Sequence, residues 1–148
     1  MKKVKLDELS PKEQELVEAA KQVREKAYTP YYKHKVGAAV LSASNKIYVG
    51  CNVERVTLSQ STHAERNAID TMAACGERKL LALCCFGKYS GIPCAECRQV
   101  IWEFACENVN VKIIGATLEG EIYVTTIGDL YPYPYGPESK GVDPCKFV

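Results

Sequence analysis

No stretch of this sequence approaches the ~20 consecutive apolar residues that a bilayer-crossing helix requires, which excludes a membrane-spanning helix. Charge of one sign is not in excess: 19 Lys and Arg stand against 18 Asp and Glu, leaving +1. That balance supplies no basic stripe for a phosphate backbone, so no nucleic-acid partner is expected. The one local basic run, Met1-Lys2-Lys3-Val4-Lys5, reads as a solvated start. No apolar segment follows it that would make a secretory signal, so a cytoplasmic protein is expected. Internal repeats and low-complexity segments are absent, which sets aside a repeat architecture. Histidine is limited to His34 and His63, so a metal site in this chain must draw on other residue types as well.

What is present fits a globular chain. The 148 residues suit one domain, 1–148, with room for a sizeable core. Eight Cys make an even count that disulfides would suit. Without a secretory signal, and with Cys84 and Cys85 inside the apolar run Leu80 to Phe86, reduced thiols are the expectation.

Ser10-Pro11-Lys12-Glu13 reads as a helix start, with Ser10 as cap and Glu13 closing a capping box. Leu16, Val17, Ala20, Val23 and Ala27 recur at helical spacing, and the helix should end before Thr29-Pro30. Val36–Leu41 and Lys46–Cys51 read as a hairpin around the turn at 42–45. Thr62 is placed to cap a second helix with Glu65 at its third position, and Gly76 stops that helix after Cys75. Leu80 to Phe86 is a buried strand, followed by a Gly-rich loop from Gly87 to Ile92. A helix from Cys94 to about Cys106 has Val100, Ile101 and Phe104 on its apolar face. Strands at 109–114 and 121–126 precede a Pro- and Tyr-rich tail that reads as irregular. The order α-β-β-α-β-α-β-β favours an α/β chain with a three-layer α/β/α sheet.

Two short motifs carry the chemistry. His63-Ala64-Glu65-Arg66 offers an imidazole and, two residues on, a carboxylate; Pro93-Cys94-Ala95-Glu96-Cys97 offers two thiols three positions apart. Both lie at strand-to-helix junctions, where an open α/β sheet gathers ligands. Cys94 and Cys97 share a helix face, and the positive end of that helix favours thiolate, the form that binds metal. One His and two Cys make a zinc set with one position open, and open positions belong to catalytic zinc. The Cys pair taken alone also admits a redox dithiol or half of a closed zinc site, and a closed site would need a fourth ligand, with His34 the only other His. Glu65 is not expected to ligate. Zinc lowers the pKa of water at the open position, and a carboxylate beside it can take that proton and pass it to a leaving nitrogen. As a capping-box residue alone, Glu65 would leave the His two residues earlier unexplained. Two thiolates cancel Zn²⁺, so a bound hydroxide makes the cluster net negative. Arg66 could offset this through a Cys sulfur, or be an ordinary surface residue.

His-x-Glu followed by Pro-Cys-x-x-Cys resembles the signature of zinc-dependent nucleobase deaminases. With Tyr28-Thr29-Pro30-Tyr31, Val36-Gly37-Ala38-Ala39, Gly50-Cys51-Asn52-Val53-Glu54, Cys97-Arg98-Gln99-Val100 and Tyr135-Gly136-Pro137-Glu138, the chain resembles the small homotetrameric class of cytidine deaminases over most of its length. The resemblance implies a five-stranded sheet flanked by helices, one Zn²⁺ per subunit, a homotetramer, and hydrolysis of cytidine and deoxycytidine to the uridine products. It implies Asn52 and Glu54 as the pair holding the ribose 3′-hydroxyl, and backbone contacts from Ala64 and Cys94 to the pyrimidine. It also implies Tyr135 as a contact to a neighbouring subunit's site.

The departures are specific. His63 stands where this class usually has Cys. His34 stands where the family stacks a Phe on the base, and Leu58 stands where Tyr often lies near the ribose. Ala95-Glu96 replaces Gly-Ala between the thiols. A modified cytosine nucleoside, including a nucleoside antibiotic such as blasticidin S, is therefore an alternative substrate. Deamination of a tRNA base is another; it would need a phosphate-binding surface and leaves Asn52 and Glu54 unexplained. A non-enzymatic zinc module would need a filled fourth position.

Overall fold

The apolar run beginning at Leu80 forms a strand, Leu80–Gly87, whose alternation feeds two cores at once. Ala82, Cys84 and Phe86 enter one core, Leu83 and Cys85 the other. The structure is a computed structural model that describes residues 1–89 and 91–146. In chain order the elements are β1 (Lys2–Val4), α1 (Pro11–Arg24), β2 (Gly37–Ser42), β3 (Ile47–Cys51), α2 (Ala64–Ala74), β4 (Leu80–Gly87), α3 (Ala95–Ala105), β5 (Lys112–Thr117), β6 (Ile122–Thr126) and a short α4 (Ile127–Leu130). The strands form one sheet in the order β1-β6-β5-β4-β2-β3. β4 and β5 pair in parallel, and the other neighbours are antiparallel.

α1 covers one face, packing Leu16, Val17 and Ala20 against Ala39, Ile114 and Ile122. α2 and α3 cover the other, packing Ala68, Ile69, Met72, Ile101 and Ala105 against Val40, Leu83 and Ile113. The three-layer α/β/α arrangement is thus the observed one, with six strands where five were expected. The extra strand is β1, read from sequence as a solvated start. Three residues with one apolar position carry no periodic signal. Val4 nonetheless packs into the α1-side core, and the Lys3 ammonium meets the Glu121 carboxylate at 2.6 Å.

The Ser10 capping box forms as expected: the Glu13 amide donates to Ser10 Oγ at 3.4 Å, and the Ser10 amide to Glu13 Oε2 at 2.9 Å. α1 ends at Arg24, so Ala27 lies beyond it. α2 corrects a second expectation. Its cap position is His63, not Thr62, whose backbone is already paired with Val53. Glu65 is then the second helical residue and faces a pocket instead of closing a box. α2 lies so close to β3 that a Cβ on Gly50 would collide with backbone atoms of Asn67 and Ala68. That contact fixes where α2 runs and, with it, where His63 and Glu65 sit.

β5 begins at Lys112, three residues later than the sequence pattern indicated, because Val109 and Asn110 form a turn. The tail contains α4 and two short 3-10 turns, Pro137–Lys140 and Pro144–Lys146. It is tied to α3: Gln99 Nε2 donates to the Tyr135 carbonyl at 2.7 Å, and Tyr131 Oη donates to Gln99 Oε1 at 2.6 Å. Cys106 and Cys145 form a disulfide, with Cα atoms 6.0 Å apart. The expectation of eight reduced cysteines is corrected at this pair. A compartment argument speaks to the average thiol, whereas here the returning tail sets one sulfur beside the end of α3. No described helix is long and apolar enough to cross a membrane.

Candidate metal centre and its pocket

Two helix starts converge at one end of the sheet. His63 caps α2, Cys94 caps α3, and Cys97 lies in the first turn of α3. His63 Nδ1 is 3.3 Å from Cys97 Sγ and 3.4 Å from Cys94 Sγ, and the three donor atoms lie within 4.8 Å of one another. Tetrahedral zinc with ordinary Zn–N and Zn–S bonds places N and S about 3.6 Å apart, so the donor set is arranged within a few tenths of an ångström of that requirement. Its chemistry fits as well. Burial, then the neighbouring Glu65 carboxylate and the Cys94 thiol, push the Cys97 thiol upward. A buried group of acids that resist ionising together is the environment a divalent cation relieves. Both helix N-termini add partial positive charge to the same point.

Glu65 is buried, with 6% of its surface exposed, beside the Cys85 and Cys97 thiols. It does not complete the tripod. It sits on the floor of a cavity of about 320 Å³ that is also lined by His34, Asn52, His63, Ala64, Tyr89 and Cys94. A second cavity, lined by Tyr32, Glu54, Leu58 and Thr62, shares His34, Asn52 and His63 with the first. The two cavities therefore lie side by side, each of a size that suits part of a small ligand.

Asn52 and Glu54 shape the loop that carries His34. Asn52 Oδ1 accepts from the Val36 amide at 2.8 Å, and its Nδ2 donates to the His34 carbonyl at 2.8 Å. Glu54 is buried and accepts from the Tyr31 amide at 2.8 Å and the Tyr32 amide at 3.2 Å. His34 stacks on Tyr89, with ring centroids 5.5 Å apart and planes inclined by 23°. Tyr89 was not singled out from sequence; its only signal was an aromatic within the Gly-rich loop before Pro93. Arg98 has no role that the sequence alone assigns. Its Nε donates to the Pro93 carbonyl at 2.9 Å and its Nη1 to the Leu130 carbonyl at 3.2 Å, bracing the turn that presents Cys94.

Tyr135 is tied to α3 through Gln99 and shares a separate shallow cavity with Glu103, outside the described linings of both cavities above. Arg66 does not take the sulfur-directed position considered for it; its guanidinium forms an ion pair with Glu96.

Residues 10–113 match the family model described as the cytidine and deoxycytidylate deaminase zinc-binding region. A cytidine deaminase of Sporosarcina psychrophila is 38% identical over 127 residues, covering 84% of this chain and 92% of that one. A cytidine deaminase of Halalkalibacterium halodurans is 32% identical over 127 residues, covering 84% and 95%. Among solved structures, the cytidine deaminase of Burkholderia pseudomallei superposes with a TM-score of 0.79 at 35% identity, covering 86% of this chain and all of that one. None of these three is named for a nucleoside antibiotic or a tRNA base.

Proposed function

The chain belongs to the cytidine deaminase family of zinc-dependent hydrolytic deaminases, and from that premise we propose that it converts cytidine and deoxycytidine, with water, to uridine and deoxyuridine plus ammonia. The observation that carries this reading is the converged His63–Cys94–Cys97 tripod with a buried, non-ligating Glu65 at its side.

His63, Cys94 and Cys97 would hold the ion. A zinc ion held there supplies Lewis acidity, which makes water a competent nucleophile near neutral pH. The base lies in the cavity whose floor is Glu65 and whose wall is the His34–Tyr89 stack. Backbone groups of Ala64 and Cys94 fix its O2 and amine edges, and the sugar extends past Asn52 and Glu54. Glu65 takes the proton from the attacking water, delivers it to the ring nitrogen as C4 becomes tetrahedral, and then delivers the remaining hydroxyl proton to the leaving amine. The C–N bond breaks, ammonia departs, and C4 becomes the carbonyl carbon of a uracil ring. The balance is one nucleoside and one water in, one uracil nucleoside and one ammonia out.

Tyr32 and Leu58, which line the second cavity, are exposed apolar groups, as are Tyr28, Tyr31 and Val56 of the neighbouring segments. They support a homotetramer in which Tyr135 reaches a neighbouring subunit's site. Light scattering on purified protein should give four chains; a monomer that turns over at full rate would contradict this part.

Incubation with cytidine, deoxycytidine, 5-substituted cytidines and free cytosine, following ammonia release, tests the central reading. The nucleosides should react and free cytosine should lag, because it leaves the Asn52–Glu54 side empty. Zinc-replete protein that releases no ammonia from any cytosine nucleoside would overturn it.

A further inference from the structure

We propose that Arg66 and Glu96 form a clamp between the two helices that deliver the metal ligands, and that this clamp slows loss of zinc. The inference rests on the metal reading above, but its test does not depend on turnover. Glu96 sits between Cys94 and Cys97 in the first turn of α3. Arg66 follows His63 by three residues, in the first turn of α2. Their side chains form an ion pair. The contact therefore joins the two half-sites within one helical turn of every ligand atom.

The need for such a tie follows from the architecture. His63 moves with α2, while both sulfurs move with α3. Any separation of the two helix starts opens the tripod along the His63–Cys94 and His63–Cys97 edges. In the apolar cluster that seats both helices, the large side chains Ile69, Met72 and Ile101 come from later turns, and the first turns add only the small Ala64. Charge is consistent with such a tie. With a neutral imidazole, two thiolates and Zn²⁺ sum to zero, and Arg66 paired with Glu96 also sums to zero, so the clamp adds no net charge beside the cluster. Glu96 thus accounts for an Arg in the first turn of α2 without assigning that Arg to the sulfurs.

The pair is partly open to solvent, with side-chain exposures of 32% for Arg66 and 58% for Glu96, so its effect is modest. Zinc-loaded full-length protein is mixed with a chromophoric chelator, and the release rate is followed for wild type, E96Q, R66Q, the double E96Q/R66Q and the charge swap E96R/R66E. Each single variant should release zinc about two- to five-fold faster, as expected for an exposed pair. The double should be no faster than either single, and the swap should return toward the wild-type rate. High salt should speed wild type toward the single variants while changing the variants little. If the swap does not fold, the Gln variants, of which E96Q is isosteric, carry the decision alone. E96Q releasing at the wild-type rate while R66Q releases quickly would place Arg66 on the sulfurs and overturn the clamp. A double variant whose acceleration equals the product of the singles would overturn it too. Zinc-replete protein without deaminase activity would sink the functional reading and leave the clamp standing.

Discussion

On the floor of the pocket, the groups facing the metal position come from helix starts: His63 and Glu65 from α2, Cys94 and Cys97 from α3. At the mouth, His34 and Tyr89 come from loops, and Asn52 and Glu54 from the chain just after β3. The floor is held by helices packed on the sheet and, at Gly50, by backbone lying directly on backbone. The mouth is held by side-chain-to-backbone bonds, with Tyr89 67% exposed. Rigid elements suit a metal tripod, which tolerates displacements of only tenths of an ångström. Loops suit a surface that must admit and release a nucleoside. Changes to the floor should therefore act on metal retention and on the chemical step, and changes to the mouth on substrate affinity.

The largest effect should come from the floor. Cys97→Ala should abolish both zinc binding and activity. Chelation of the wild type should do the same, reversed by added zinc. Metal content and ammonia release check this, and a variant that keeps stoichiometric zinc would break the tripod assignment. Next, Glu65→Gln should leave zinc in place and lower kcat by roughly 10²–10⁴-fold, the usual worth of a general acid–base group. A loss smaller than tenfold would move the proton transfer to another residue.

The same difference between floor and mouth decides what is legible in the sequence. His63, Glu65, Cys94 and Cys97 were legible because their meaning lies in spacings of two and three residues. The layers were legible because the run at 80–86 and the helical spacing of Leu16, Val17 and Ala20 are local signals. Tyr89 could not be placed, because its partner His34 is distant in sequence and only the fold brings the rings together. The motif places Arg66 near the sulfurs, but the competing carboxylate of Glu96 arrives on another helix. The cap of α2 shifted from Thr62 to His63 because a backbone bridge to Val53 had already claimed Thr62.

Smaller effects sharpen the boundary between the two regions. Gly50→Ala should force α2 off β3, costing about 1–3 kcal/mol of stability and lowering the melting temperature. An unchanged melting temperature would show that this contact is not the seat of α2. Tyr89→Ala should raise KM for cytidine about three- to tenfold and leave kcat nearly unchanged, as expected for loss of one aromatic contact. A fall in kcat at constant KM would assign Tyr89 to the chemistry.

The smallest effect should lie on the far side of the sheet. Partial burial pushes the Glu13 carboxyl up, but hydrogen bonds from Lys112 and Ser10 outweigh it and hold the group below its ordinary value of 4.5. Its contribution is therefore present above that value and fades as pH falls through the depressed one. Glu13→Gln should reduce stability slightly at neutral pH, and the gap to wild type should close on acidification, with kcat unchanged throughout. A gap that widens in acid would reverse the sign.

The most direct test of the open three-ligand site is zinc-edge X-ray absorption on the purified protein. It should show one zinc per chain with two sulfur neighbours at about 2.3 Å and two light-atom neighbours at about 2.0–2.1 Å, one of them imidazole and the other displaced when a competitive inhibitor with its own zinc-binding oxygen or sulfur is added. Three or four sulfur neighbours before any inhibitor is added, or a shell that a sulfur-donor inhibitor does not convert from two sulfurs to three, would contradict the account.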